Sequence, residues 1–165
     1  MRSFVSTCGA VLWAAALSAT ALGAQDRTAD LRSRFEHETN PVQKAKLMPE
    51  LGHAEFQQIR KEVEAYQLSE ALELLRQYDA QVALCAKGLA GTNVDPERHP
   101  SGFKQLQISV QESLMRIDAL LPPMTSDEQA PFLEIRKNLD AVNRHLIDQL
   151  FPGRTPPPKP DKIVQ

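Results

Sequence analysis

The sequence predicts an all-α protein, an antiparallel bundle of about four long helices with a short extra helix in front, following a signal peptide. Three observations carry this expectation. Apolar residues recur at steps of three and four over four separate stretches, which places them on one face of a helix each time. Residues that start and stop helices bound those stretches. No apolar–polar alternation of useful length occurs, so no strand is expected.

The N-terminal segment has the layout of an export signal. After Arg2 no charged residue appears until Asp26. Residues 11–17 form a compact apolar core, and Ala19, Ala21, Gly23 and Ala24 supply small residues behind it. Cleavage after Ala21, Gly23 or Ala24 fits, and Ala24 is favoured, giving a signal peptide over residues 1–24. The alternative is a retained anchor, since the uncharged run is just long enough to span a bilayer. Cys8 precedes the apolar core, where a lipidated cysteine would follow it. The expected location is therefore the periplasm or the cell exterior, with no stable membrane insertion after cleavage. Loss of Arg2 takes the net charge from −2 to −3. That near-neutral balance offers no basic field for nucleic acid or an anionic membrane.

A single helical domain is expected over residues 25–151. Residues 29–38 form the short first helix, with Leu31 and Phe35 on one side and Phe35 packed against the hairpin of residues 41–90. The chain is organised around that hairpin. Asn40 is a suitable N-cap, and Pro41 suits the first helical position, where a missing N–H costs nothing. Val42, Ala45, Met48, Gly52, Phe56, Ile59, Val63 and Tyr66 make the apolar face. Pro49 removes one helical hydrogen bond, so a kink or break is expected near Met48. The second helix is expected to start at a Ser69 cap. Its face is Ala71, Leu74, Leu75, Tyr78, Val82, Cys85 and Leu89, with Gly91 as the stop. Only Gln67 and Leu68 are left between the two patterns, which forces antiparallel neighbours.

Pro41 together with Glu70, Ala71, Leu72, Leu75 and Tyr78 resembles a helical domain found in exported bacterial proteins. The resemblance covers residues 41–90. It implies export and a helical fold, and no activity. The run from Ser69 to Tyr78 is similar to the second half of a tetratricopeptide unit, but that family's spacing is not matched and no second copy occurs.

Asn93 to Pro100 is a break, because Asp95-Pro96 and His99-Pro100 are turn-forming pairs. A second hairpin is expected over residues 101–151. Its first helix begins at Ser101 and carries Phe103, Leu106, Val110, Leu114, Ile117 and Leu121, ending at Pro122-Pro123. Thr125 and Glu128 make a capping box. Pro131 then either kinks the last helix or marks its true start. Phe132, Ile135, Leu139, Val142, Leu146 and Leu150 continue the last face to Pro152-Gly153. The proline-rich tail, residues 152–165, is expected to be disordered. An up-down-up-down bundle is the simplest way to bury these faces, and a small solenoid of stacked hairpins is the other.

Candidates for chemistry are few. Glu50 and His53 have the Glu-x-x-His spacing of carboxylate-bridged metal bundles, but no second such pair exists. Met48 and His145 have the placement of haem ligands in exported four-helix bundles, but no Cys-x-x-Cys-His attachment site occurs. After signal cleavage Cys85 is the one cysteine, on the same face as Tyr78, Val82 and Leu89, and is expected to be a buried, inert thiol. There is no nucleophile elbow and no glycine-rich phosphate loop. No cofactor is expected.

The functional expectation is an exported, non-enzymatic domain or scaffold that acts through contact with a protein partner in the cell envelope. Phe103, Lys104 and Gln105, behind the proline-flanked loop, are the first place to seek an anchor, although Phe103 reads better as core. The alternative, from another class, is a metal- or haem-binding bundle using Glu50, His53, Met48 or His145. The oligomeric state is open.

Overall fold

The computed structural model describes residues 19–153, with side chains from residue 27 onward. Most of the predicted signal peptide (residues 1–24) and nearly all of the predicted tail (residues 152–165) lie outside the described residues. Among the described residues five helices succeed one another: α1 (Ala19–His37), α2 (Pro41–Glu64), α3 (Leu68–Ala90), α4 (Phe103–Leu120) and α5 (Ser126–Leu150). No strand occurs among the described residues.

Helices α2 to α5 form a four-helix layer around one core. α2 packs on α3 and on α4, α5 packs on both α4 and α3, and α3 meets α4 across a diagonal. The link over residues 91–102 crosses the end of the bundle and sets this order. It brings Gly102, at the start of α4, against Val42 at the start of α2 and Leu89 at the end of α3. α2 and α4 are therefore parallel neighbours, while each chain-adjacent pair is antiparallel. Gly102 takes φ +85°, a value glycine adopts without strain. Within the link, Asp95 Oδ1 accepts from the Glu97 N–H at 3.0 Å, closing a turn.

The caps match the sequence in part. Asn40 Oδ1 accepts from the N–H groups of Val42 and Gln43 at 2.9 and 3.2 Å. The Glu128 carboxylate accepts from the Thr125 N–H at 2.7 Å and its hydroxyl at 2.8 Å. That pairing holds the Glu128 carboxyl below its ordinary pKa, with the backbone bond as the larger cause. α3 starts one residue earlier than Ser69, so Ser69 is inside the helix and Gln67 is the cap position. α4 starts at Phe103 rather than Ser101. α1 is longer than the expected residues 29–38, reaching back to Ala19.

The break expected near Met48 does not occur. α2 runs through Pro49 without interruption. Met48 and Leu51, on either side of the proline, are fully buried, and that burial outweighs one missing hydrogen bond. Pro131 likewise lies inside α5, which starts at Ser126, ahead of it.

Tyr66 does not extend the apolar face of α2. It lies past the helix end, is 73% exposed, and takes φ +57°. Its N–H donates to the Val63 carbonyl at 3.0 Å, and the Gln67 N–H donates to the Glu62 carbonyl at 2.8 Å. These two bonds make a Schellman closure with tyrosine where glycine is usual. Leu121 is only partly buried, and Leu120 takes the core position expected of it.

Two polar clusters sit within the core. The Tyr78 hydroxyl lies 2.6 Å from Ser113 Oγ and 3.2 Å from Ser109 Oγ, joining α3 to α4. The Phe56 and Tyr78 rings meet edge to face at 5.2 Å. The second cluster fixes α1. Glu55 on α2 is 1% exposed, and its Oε1 accepts from Arg32 Nη2 at 2.7 Å, Arg32 Nε at 3.1 Å and Gln81 Nε2 at 3.1 Å. Leu31 and Phe35 of α1 are buried, as expected, with Lys44 Nζ 5.0 Å from the Phe35 ring centre.

Candidate docking groove

The parallel packing of α2 on α4 leaves a groove near their C-terminal ends. It encloses about 510 Å³ and is half-open to solvent. Phe56, Val63, Leu120, Ala119 and Pro123 give it an apolar lining. His53, Gln57, Arg60, Glu64 and Arg116 supply polar groups. Phe56, Val63 and Leu120 are buried residues of two neighbouring helices that reach its floor, and Ala119 is an exposed residue on its wall.

Arg116 is the central polar group. Its guanidinium lies over the Phe56 ring at 5.7 Å, within the range of a cation–π contact. Its side chain is 30% exposed. Nη2 donates to Glu112 Oε2 at 3.1 Å and approaches His53 Nδ1 at 3.4 Å. On the other side of the ring, His53 Nε2 lies 3.0 Å from Gln57 Nε2. Both neighbours are donors, so a neutral imidazole can accept from only one of them at a time. Arg60 Nε donates to Glu64 Oε1 at 2.7 Å across one turn of α2.

Each arginine is thus only partly engaged. Nε and Nη1 of Arg116, and both terminal nitrogens of Arg60, have no protein acceptor among the described residues. The two carboxylates balance the charge without using all the donors.

The sequence candidates for metal or haem are not brought together here. Met48 is fully buried in the core. Glu50 is exposed and takes a 2.8 Å bond from Arg27. His53 lines the groove. His145 is exposed on α5, on the opposite diagonal of the bundle from α2. Among the described residues no three His, Cys, Asp or Glu side chains converge in the manner of a metal site. The expected anchor region is built into the fold instead. Phe103 is core, Gln105 Oε1 accepts from the Gly102 N–H at 2.7 Å, and only Lys104 is exposed.

Cys85 is buried as expected, and burial pushes its thiol up to about 12, the Lys44 charge opposing this only in part. No described helix is long and apolar enough to cross a membrane.

Of the groove residues, sequence reasoning singled out His53 for a different chemistry and placed Phe56 and Val63 on the apolar face. It passed over Gln57, Arg116 and Ala119. The one signal available was the pair of i,i+4 ion pairs, Arg60–Glu64 and Glu112–Arg116, and such pairs are common on any helix. No known protein family, curated protein or solved structure matches the chain at a significant level.

Proposed function

We propose that the protein is a non-enzymatic interaction domain, exported to the cell envelope, that docks a partner protein in the groove between α2 and α4. The observation that carries this reading is the groove itself: an apolar lining of five residues bordered by arginines with donors to spare. A concave apolar site with a few placed polar groups is the usual form of a binding site. The signal-like residues 1–24 and the resemblance of residues 41–90 to an exported helical domain support the location. Tyr66 adds to the docking reading. It is an exposed aromatic held in a backbone conformation that favours glycine, two residues past Glu64 at the groove's end. Strain of that kind is concentrated at functional positions.

The test is site-specific photocrosslinking in the native host. A benzophenone side chain at Ala119 lines the groove, and one at Lys137 lies on the exposed surface of α5. An envelope protein crosslinked from position 119 and not from position 137 is the expected result. Equal adducts from both positions, or none from 119, would sink the reading. Native mass spectrometry of the gently isolated protein then gives the first residue of the mature chain, expected to be Gln25, and the mass of the partner.

A further inference from the structure

The outer face of α4 carries a stripe that is complementary to itself. Among the described residues the exposed large hydrophobic side chains are scattered singly, except on α4, which has two. They are Ile108, 39% exposed, and Met115, 59% exposed. One such residue on a surface is ordinary. These two stand two helical turns apart, so they share one line along the helix. Lys104, Gln111 and Asp118, all exposed, complete that line at steps of four and three. This is the spacing of a seam along which one helix meets another. The buried residues Leu106, Val110 and Ile117 lie on the opposite side of α4, toward the core.

We infer that a second copy of this chain covers the stripe, the two α4 helices running antiparallel about a twofold axis beside Gln111. The order of residues selects both the occupant and the direction. Read from either end, the stripe is charged, apolar, polar, apolar, charged. Turned end over end, it sets Ile108 of each copy against Met115 of the other, and Gln111 beside Gln111. The end charges are opposite in sign, so the same turn brings each Lys104 to the other copy's Asp118. The Asp118 carboxylate takes bonds from Arg136 at 2.5 and 2.8 Å, yet its side chain is 48% exposed. Each of its oxygens can accept a second bond, from an incoming ammonium. A parallel pairing would instead set Lys104 against Lys104 and Asp118 against Asp118, and like charges repel. Reciprocal contact of this kind is what a twofold interface requires. A single helix pair is a small interface, so the association is weak and rises with concentration. The pairing does not rest on the docking groove, which lies on the α2 side of α4.

The experiment is sedimentation velocity on the full mature chain from about 5 to about 500 µM, the range in which weak complexes form, followed by disulfide mapping. The average mass is expected to rise toward twice that of the chain. Met115→Lys and Ile108→Lys put a charge at the centre of the seam, and each should weaken association roughly tenfold or more. Both side chains are exposed, so neither change opens the core, and an unchanged urea midpoint checks that. Met115→Gln, which adds no charge, weakens association in the same direction. Lys104→Glu faces Asp118 with a like charge and weakens it severalfold, and added salt restores part of that loss. Gln111→Cys closes a disulfide between copies under mild oxidation. Lys104→Cys does not, because the two copies of residue 104 stand roughly 20 Å apart along an antiparallel pair. A chain that stays monomeric across the whole range overturns the inference. A dimer that Met115→Lys and Ile108→Lys leave intact also overturns it, since another face then holds the copies together. Crosslinking from position 104 as fast as from position 111 overturns the antiparallel order.

Discussion

Gly52 lies against the edge of the Tyr78 ring, so closely that a methyl group at position 52 would stand 3.0 Å from Tyr78 Cε2 and 3.4 Å from Ser109 Oγ. The ring cannot easily withdraw. It is fully buried, edge-on to Phe56, and its hydroxyl is 2.6 Å from Ser113 Oγ. Glycine inside α2 costs about 1 kcal/mol of helix propensity relative to alanine. Overfilling a packed core costs roughly 1–3 kcal/mol. Gly52→Ala should therefore lower stability by about 1 kcal/mol on balance, and Gly52→Val by more. Urea unfolding measures this, and an alanine variant as stable as the parent would mean that the ring is free to tilt.

Glu55 and Arg32 give a second prediction. Arg32 supplies two of the three bonds to the buried carboxylate, and Glu55 Oε2 has no partner among the described residues. Arg32→Ala leaves a buried charge held by Gln81 alone. The expected loss is about 3 kcal/mol, the scale for breaking one side of a buried ion pair. The double variant Arg32→Met, Glu55→Leu removes the charge with its partner and should recover most of that loss. If the double variant is no better than Arg32→Ala in chemical unfolding, the carboxylate is not the source of the cost.

These two sites show where sequence reading reached and where it stopped. The positions Ala45, Met48, Phe56, Ile59 and Val63 were legible because apolar residues at helical spacing have little choice but to face a core. Glu55, Ser109 and Ser113 lie on those same faces and were passed over, because a pattern built from apolar residues skips polar ones. Their burial depends on partners from other helices, Arg32 for Glu55 and Tyr78 for the serines, and helix periodicity carries no information about partners. The groove was hidden for a related reason. It depends on α2 and α4 being parallel neighbours, and that order comes from how residues 91–102 cross the bundle end. Tyr66 fitted the spacing of α2 by coincidence, just past the point where the helix had ended.

Cys85 gives a prediction with a pH sign. Its thiol is raised from the ordinary value of 9.0 to about 12 by burial. A group whose pKa is higher when folded keeps its contribution to stability below the unfolded value and loses it as pH rises. Stability should thus fall between about pH 9 and pH 12. Tyr78, also raised, with burial as the main cause, adds to the fall above its ordinary value of 10.0. Cys85→Ala should flatten the first part of that decline. At about pH 8, below the ordinary thiol range, a thiol reagent should label the native chain roughly a hundredfold more slowly than the denatured one. Labelling at equal rates would place the thiol in contact with solvent.

Tyr66 supplies the last prediction, in which stability and docking move in opposite directions. A non-glycine residue in the left-handed region costs roughly 1–2 kcal/mol. Glycine there removes that cost but gives back part of it through the freer unfolded chain, about 0.4–1 kcal/mol. The tyrosine side chain has little packing to lose, being 73% exposed. The two Schellman bonds use backbone groups alone, so they survive the substitution. Tyr66→Gly should raise stability by about 0.5–1 kcal/mol, read as a higher urea midpoint with an unchanged slope. If the ring also serves as an anchor beside the groove, the same variant binds the partner crosslinked through Ala119 more weakly. A stabilised variant with undiminished binding would assign Tyr66 to the helix end alone. A destabilised one would mean that the ring packs on a surface that its exposure does not reveal.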